Sequence, residues 1–237
     1  MKYYLYLFSF FLITVTNAQN KGEDNLGTWY AYFGTHFVSN EISIGTIAHI
    51  RNYQLLSNRQ HLFLSAKVNY LVTPKIRTSI GYGYLFADLS FQDFKGEEPL
   101  KEHRVYEQIQ LKHKLLNLDF NSRFQIDQRF MDFGYDTRFE LRTRYRLQLT
   151  VPLNNTLFIS AHDEILLSLK EKMFDQNRLY VGLGIKFSPN YKMQLGYLRH
   201  DYTSVGFNRV QLGFYLTTDF RRKKSNLEKT NSKQVNL

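Results

Sequence analysis

The sequence has no cysteine, little proline and no long apolar run after its first residues, and each absence narrows the class of protein. Without cysteine there is no disulfide framework, no thiolate metal site, no cysteine nucleophile and no lipoprotein attachment point. The 237 residues include only 4 prolines, and the mean hydropathy of −0.40 excludes a bundle of membrane helices. Aromatic residues are abundant instead, with 20 Phe and 17 Tyr. This mixture favours a long β-protein.

The first 18 residues have the pattern of a secretory signal peptide. Lys2 provides a positive start, an apolar run extends to Val15, and small residues stand at Thr16 and Ala18, the two positions that a signal peptidase reads. A retained membrane anchor is the alternative, but the run is shorter than the roughly 20 apolar residues of a spanning helix. We therefore expect export and cleavage after Ala18.

Apolar and polar residues alternate along nearly all of the remaining chain. Between residues 59 and 72, one face carries Gln60, Leu62, Leu64, Ala66, Val68, Tyr70 and Val72, and the other carries Arg59, His61, Phe63, Ser65, Lys67 and Asn69. Such alternation is typical of a strand with one apolar and one polar face. The pattern predicts eleven strands, at 26–37, 41–51, 59–72, 75–86, 102–115, 117–130, 136–151, 156–168, 176–188, 192–200 and 207–220. Most reach the roughly 9 to 11 residues with which a tilted strand crosses a bilayer.

Tight and longer connections alternate between these strands, as in outer-membrane barrels with tight turns on the periplasmic side. Seven glycines lie on the polar face, where they relieve crowding inside a small cylinder: Gly45, Gly81, Gly83, Gly182, Gly184, Gly196 and Gly213. The sequence therefore predicts an all-β fold, a closed antiparallel transmembrane β-barrel of ten to twelve strands in an up-and-down meander. A soluble secreted barrel of the lipocalin type, which would bury the apolar face, is the alternative.

The strand number and the first strand are the open points of this prediction. Bacterial single-chain barrels have an even number of strands, so either one strand is undetected and there are twelve, or the first segment does not span and there are ten. Aromatic residues near the strand ends of the apolar face are expected to form interfacial girdles in lipid. Those of the first segment are Trp29, Phe33 and Phe37.

Four segments resemble the domain-of-unknown-function 2490 family of predicted outer-membrane barrels. They are Leu26 to Gly34, Arg51 to Tyr53, Arg104 to Gln108 and Phe174 to Gly184. The resemblance covers residues 25–222 and implies an outer-membrane location and an uncharacterised role, with no catalytic residues to transfer. The last strand, with Phe220, is also similar to the C-terminal signal that the barrel assembly machinery recognises. Outer-membrane lipid and that machinery are therefore the expected partners.

The formal net charge of +10 is unevenly placed, and residues 221–237 contain six basic residues against Glu228 alone. Because an exported chain meets no genome and this tail has no interleaved aromatic residues, we expect a solvated basic tail and no nucleic-acid partner. The predicted organisation is a cleaved signal peptide at 1–18, an outer-membrane barrel at 19–220 and a basic disordered tail at 221–237.

The predicted inner face opposes acids to bases on adjacent strands. The residues concerned are Glu102, Arg104, Arg123, Asp127, Arg129, Arg138, Glu140, Arg142, Arg144 and Arg146. One interpretation is a salt-bridge network that fills a narrow lumen, and the other is an arginine ladder that selects anions in a narrow channel. Both describe a structural or narrow-channel barrel without enzymatic activity.

Two acids, Glu107 and Asp163, break the pattern because they are predicted to face lipid, unless a bulge changes the register. A phospholipase-like enzyme is the alternative function, because Ser160, His162 and Glu164 share one strand face. No nucleophile motif surrounds them, so we assign no catalytic residue. The seven histidines show no ligand-like spacing and no phosphate-binding glycine loop is present, so we expect no metal and no cofactor.

Overall fold

A computed structural model describes residues 25–91, 99–115, 118–170 and 173–221. The predicted signal peptide and nearly all of the predicted basic tail lie outside these residues. The strands are β1 (Leu26–Phe37), β2 (Ile42–Asn52), β3 (Arg59–Leu71), β4 (Ile76–Ala87), β5 (Leu100–Leu115), β6 (Leu118–Asp132), β7 (Thr137–Pro152), β8 (Leu157–Ser168), β9 (Phe174–Ser188), β10 (Tyr191–Tyr202) and β11 (Gly206–Asp219). Among the described residues, no helix is long and apolar enough to cross a membrane.

The eleven strands form one closed barrel in which each strand pairs with its neighbours in the sequence. The prediction of a closed all-β meander of ten to twelve strands is confirmed, and the first segment spans as a full strand. Closure is made by β1 and β11, which pair in parallel from Leu26 opposite Asn208 to Phe37 opposite Asp219. The barrel is therefore mixed and not wholly antiparallel as predicted. An odd number of strands requires this, because each antiparallel step reverses the chain direction.

Because the number of strands is odd, the first strand begins at one rim of the barrel and the last strand ends at the opposite rim. We call the rim at the connections after β1, β3, β5, β7 and β9 the turn rim, and the rim at the connections after β2, β4, β6, β8 and β10 the loop rim. The chain enters the barrel at the loop rim, where β1 begins, and leaves it at the turn rim, where β11 ends. At the turn rim, Ser39, Thr73 and Asn154 each accept hydrogen bonds from the backbone amides that follow. These short polar side chains close the tight turns.

Apolar side chains face outward and ionic side chains face the lumen. Ile80 and Ile109 are more than half exposed on the outer surface, whereas Glu102 and Asp127 are fully buried inside. The other strongly exposed apolar residues on the outer surface include Val68, Tyr70, Phe130, Phe139, Leu179, Val181, Phe187 and Leu195. This arrangement agrees with the predicted faces and is the reverse of a soluble barrel, which would bury its apolar face.

Strand β1 departs from the predicted faces. Trp29 is 6% exposed and packs inside the barrel with Ala31 and Leu198, and Phe33 stacks on the lumen residue Tyr215 at 4.8 Å between ring centroids. The expectation that Trp29 and Phe33 face lipid was wrong. Both alternating sets of β1 contain aromatic residues, so hydropathy does not distinguish its two faces; the pairing of β1 with β2 and β11 decides them.

Glycines make room for large rings in the lumen. A Cβ atom on Gly184 would collide with the ring of Phe158, and one on Gly81 would collide with the ring of Tyr106. Each ring occupies the space into which a side chain at the glycine position would point. A residue larger than glycine would therefore not fit at either position. The predicted role of the inner-face glycines in relieving crowding agrees with this packing.

Candidate functional site in the barrel lumen

Three carboxylates on β5, β6 and β8 organise the loop-side part of the lumen. Glu102, near the loop rim on β5, accepts hydrogen bonds from Arg104 on its own strand at 2.7 Å and from Arg129 on β6 at 2.7 Å. Its side chain is fully buried. Register explains the geometry, because Arg104 and Arg129 are direct partners across β5 and β6. Two guanidinium groups therefore meet at one carboxylate.

The second carboxylate, Asp127, lies deeper on β6 and is also fully buried. It receives two hydrogen bonds from Arg142, at 3.1 and 2.8 Å, because the two residues are partners across β6 and β7. Arg104 and Arg144 add longer ion pairs at 3.9 and 3.7 Å. Arg142 also reaches Asp175 of β9 at 3.1 Å, so it links β6 to β9.

The third carboxylate, Glu164 on β8, is shared by three arginines. Arg144 donates to its Oε1 at 2.7 Å, Arg178 of β9 donates to Oε2 at 3.4 Å, and Arg123 of β6 forms a further ion pair. Together, the three carboxylates and their arginines connect five consecutive strands, β5 to β9, across the interior. We call this set the ion-pair network: Glu102, Asp127, Glu164, Arg104, Arg123, Arg129, Arg142, Arg144 and Arg178.

The remaining residues of the predicted inner face have different environments. Glu140 bonds Arg129 at 2.9 Å and also pairs with Lys170. Arg138 lies at the loop rim, half exposed, and pairs with Asp136. Arg146 lies on the turn side of the network, and among the described residues no carboxylate is within ion-pair distance of it. Seven of the ten predicted residues thus belong to the ion-pair network, and Glu140 extends it.

Sequence reasoning missed the lumen residues of β1, β2 and β9 to β11. Arg51, Arg178, His200 and Arg209 are each at least nine-tenths buried in the lumen. Arg209 of β11 is linked to β2 and β3, because it donates hydrogen bonds to the Asn52 carbonyl at 2.8 Å and to the Gln60 side chain at 2.7 Å. The signal was available, because these residues occupy the inward positions of alternating strands.

Two of the cavities formed by the described residues lie inside the barrel. One, of about 270 Å³, lies toward the loop rim between Trp29, Arg51, His61 and Arg178, and we call it the vestibule. The other, of about 90 Å³, lies deeper, beside Phe33, His162 and Tyr215. The two cavities adjoin, because six residues line both: Trp29, His49, Phe63, Arg104, Arg144 and Arg178.

The turn-side part of the lumen has a different charge balance. Its inward-facing basic residues are Lys67, Arg77, Lys112, Lys186 and Lys192, and we call them the turn-side bases. Among the described residues, none of them has a carboxylate within ion-pair distance. Two acids of this region pair with other exposed bases, Asp119 with Lys114 at 3.5 Å and Asp219 with Arg221 at 2.5 Å. An inward excess of positive charge therefore lines the turn-side mouth.

The residues considered for hydrolysis do not form a catalytic relay. Ser160 is 1% exposed and accepts a hydrogen bond from Gln148, His162 stacks on Tyr180 at 4.9 Å, and Glu164 is engaged by arginines. All three face the lumen and not the lipid side. In the described part of the chain, no three or more of His, Cys, Asp and Glu are grouped to hold a metal ion.

The two unusual acids do face outward, as predicted. Glu107 lies opposite Ile80 and Ile126 in regular register, in an apolar depression of the outer surface, and accepts a bond from Gln128 at 3.3 Å. Asp163 lies between Leu147 and Leu179. The register shift of β8 and β9 falls at Leu166, beyond Asp163. A bulge is therefore not the explanation for either acid.

A closed barrel with apolar residues outside and an ion-pair network inside has the architecture of transmembrane β-barrel proteins. Comparison with known families gives the more particular assignment: residues 26–226 match the model of DUF2490, a protein family of unknown function, and the chain belongs to this family. Comparison with curated protein sequences found no match. A solved structure, LpxR from Salmonella typhimurium, is similar with a TM-score of 0.46 and 11% identity, over 77% of this chain and 85% of that one.

Proposed function

We propose that this protein is a narrow barrel of the outer membrane, with a lumen closed to large solutes by the ion-pair network. The observation that carries the proposal is that the layers of a soluble barrel are reversed. Apolar side chains are exposed all round the outside, while Glu102, Asp127 and Glu164 are buried within. In water this outer surface would cost free energy in proportion to its apolar area. In a bilayer the same surface meets hydrocarbon.

Strand length fits the same location. A 12-residue strand such as β1 extends to about 40 Å, which on a 35–45° tilt covers the roughly 25 Å apolar band of an outer-membrane barrel. We propose export by the signal peptide at residues 1–18, insertion by the barrel assembly machinery, and a periplasmic turn rim. With this orientation, the chain beyond β11 enters the periplasm and β1 begins at the cell exterior.

The charge of the lumen sets the selectivity we propose. Turn-side bases without acidic partners raise the local concentration of anions and repel cations, as fixed charges do in channels. The side chains of the ion-pair network, which extend across the interior from β5 to β9, are proposed to leave no wide path. The protein is therefore proposed to pass small anions slowly or not at all, and to act mainly as a rigid membrane element.

Fractionation and conductance test these two parts separately. The full chain, expressed in a Gram-negative host, should sediment with outer membranes and show heat-modifiable migration on a gel. Recovery in the soluble periplasmic fraction would contradict the membrane proposal. Refolded protein in a planar bilayer should give no large current steps, and any small steps should favour chloride over potassium. Steps of porin size would show that the network does not close the lumen.

A further inference from the structure

Four buried side-chain nitrogens around the vestibule have no hydrogen-bond partner among the described residues. They are the Nε of Arg51, the Nε1 of Trp29, and the Nε2 atoms of His49 and His61. All four side chains line the same cavity of about 270 Å³. Buried polar groups are nearly always satisfied, and the Arg51 and Trp29 nitrogens can only donate, so this cluster favours an occupant that accepts hydrogen bonds.

Arg51 is the centre of this cluster. It is 6% exposed, and among the described residues no carboxylate lies within ion-pair distance of it. Its guanidinium carbon lies 3.5 Å above the ring centroid of Trp29, and Arg178 lies at 5.4 Å from the same ring. Stacking fixes the plane of the Arg51 fork while leaving its N–H groups unused. A buried guanidinium held in this way is prepared to bind an oxyanion through two parallel hydrogen bonds.

The charge around the vestibule favours an anion over a cation or a neutral ligand. Its arginines are Arg51, Arg104, Arg129, Arg142, Arg144 and Arg178. Its carboxylates are Glu102 and Asp175, and both are already engaged, Glu102 by two arginines and Asp175 by Arg142. An anionic ligand in the vestibule would therefore bind Arg51, which has no acidic partner among the described residues, and would not have to displace an existing ion pair.

We propose that the vestibule is a binding site for a small soluble oxyanion with a phosphate group, either free phosphate or a compact phosphate monoester. Size supports this class, because a cavity of about 270 Å³ is slightly below the roughly 300–1,000 Å³ of sites for drug-sized ligands. Access supports a soluble source, because the cavity lies inside the barrel wall toward the loop rim and does not open on the outer apolar surface. The site is a binding site whether or not the lumen conducts ions.

The single tryptophan of the chain provides a direct readout, because Trp29 is the residue on which Arg51 stacks. Refolded full-length protein in neutral detergent micelles would be titrated with sodium phosphate at constant ionic strength, and Trp29 fluorescence followed. The expected result is a saturable change with phosphate and none with sodium chloride. Calorimetric titration of the same protein gives the dissociation constant independently of the fluorophore.

Arg51→Gln is the decisive variant, and Arg199→Gln is its matched control. Arg199 also lies near the loop rim, but it is about two-fifths exposed on the outer face and bonds Asp201. Loss of a bidentate charged contact should weaken phosphate binding by about tenfold or more in Arg51→Gln, by calorimetry. Arg199→Gln should bind as the wild type does. Equal affinity in all three proteins would overturn the proposal.

Two further titrations, of the wild type with phosphate and of the protein with a phospholipid, can also contradict the proposal. If Arg51→Gln fails to refold, the wild-type titration decides alone, since a response to phosphate that never saturates, or one that chloride reproduces, rules out the site. To distinguish the source of the phosphate group, phosphatidylglycerol would be added to the micelles in place of free phosphate. A saturable response to this lipid with none to phosphate would contradict the soluble oxyanion and indicate a lipid headgroup site.

Discussion

The loop-side and turn-side parts of the lumen differ in whether their charged side chains have partners of opposite charge. On the loop side, Glu102, Asp127 and Glu164 are each surrounded by two or more arginines. On the turn side, Lys186 and Lys192 face each other with no acid in ion-pair distance among the described residues. Both sets occupy the same inward positions of the same barrel, so the fold alone does not dictate the charge balance.

Solvent access explains the difference. The arginines of the ion-pair network are mostly buried, for example Arg142 at 2% exposure, and a buried charge is costly unless it is paired and hydrogen-bonded. Lys112 and Lys186 are exposed at the turn-side mouth, and Lys67, Arg77 and Lys192 are only half-buried, so water can solvate their charged groups. Burial therefore requires the arginines of the network to be paired, whereas the turn-side bases need no acidic partner.

The largest expected effect comes from breaking the network at Asp127. Asp127→Asn keeps the shape but removes the charge that Arg142 approaches at 2.8 Å, leaving a buried arginine without its main partner. We expect a loss of about 3–5 kcal/mol in the free energy of unfolding, the usual cost of breaking a buried ion pair. Urea unfolding of the refolded protein in phospholipid vesicles, followed by Trp29 fluorescence and heat-modifiable migration, measures it.

Asp119→Asn is the matched control on the turn side. Asp119 pairs with Lys114 at 3.5 Å, and both side chains are more than half exposed. Exposed pairs contribute only about 0–1 kcal/mol. If the two Asp→Asn variants lost the same stability, the distinction between a buried network and a solvated mouth would be wrong.

The outward-facing acids extend the comparison, because neither Glu107 nor Asp163 forms an ion pair with an arginine among the described residues. Glu107 faces the apolar surface between Ile80 and Ile126. Replacing it by leucine should stabilise the barrel in phospholipid vesicles by about 1–2 kcal/mol, because a charged group on the lipid face is unfavourable. Thus removal of an acid should stabilise at Glu107 and destabilise at Asp127. Unfolding midpoints in vesicles measure both.

Glu41→Leu is the control for this second prediction, because Glu41 lies in the connection between β1 and β2 at the turn rim, beyond the strand ends. It should change stability little. Destabilisation by Glu107→Leu would mean that Glu107 binds a partner through the lipid face, and the depression around it would then need a ligand.

Most of the barrel could be predicted from the sequence, because one property repeats with period two along each strand. The alternation placed Arg142 and Arg144 inside and Ile80 outside, and the connections gave the meander. The faces of β1 could not be predicted, because Trp29 and Tyr30 are both aromatic and occupy opposite faces. The parallel pairing of β1 with β11 follows from the eleven strands that the pattern predicts, and it was missed because an even number of strands was expected.

The ion-pair network was predictable in kind but not in its partners. Opposed acids and bases on neighbouring strands indicated salt bridges, and the structure places seven of the predicted residues in one network. The link from Glu164 to Arg123 could not be derived, because these residues are on strands that are not adjacent. The vestibule was missed altogether, since Arg51 and Trp29 meet only through the register of β1 with β2.

The smallest effect is expected from Lys192, and it tests whether the turn-side bases are indeed uncompensated. Lys192 is the direct partner of Lys186 across β9 and β10, and both ammonium groups approach the ring of Phe158, at 5.8 and 5.6 Å. Like charges directly opposite each other destabilise a sheet, so Lys192→Gln should raise the free energy of unfolding by about 0.5 kcal/mol at low salt. Added salt should narrow this gap, because it screens the repulsion only in the wild type. Lys75→Gln, in the connection between β3 and β4, should show neither effect. A Lys192→Gln variant less stable than the wild type at every salt concentration would mean that the contacts of the Lys192 ammonium with the rings of Phe158 and Tyr215, at 5.8 and 4.9 Å, outweigh its repulsion by Lys186.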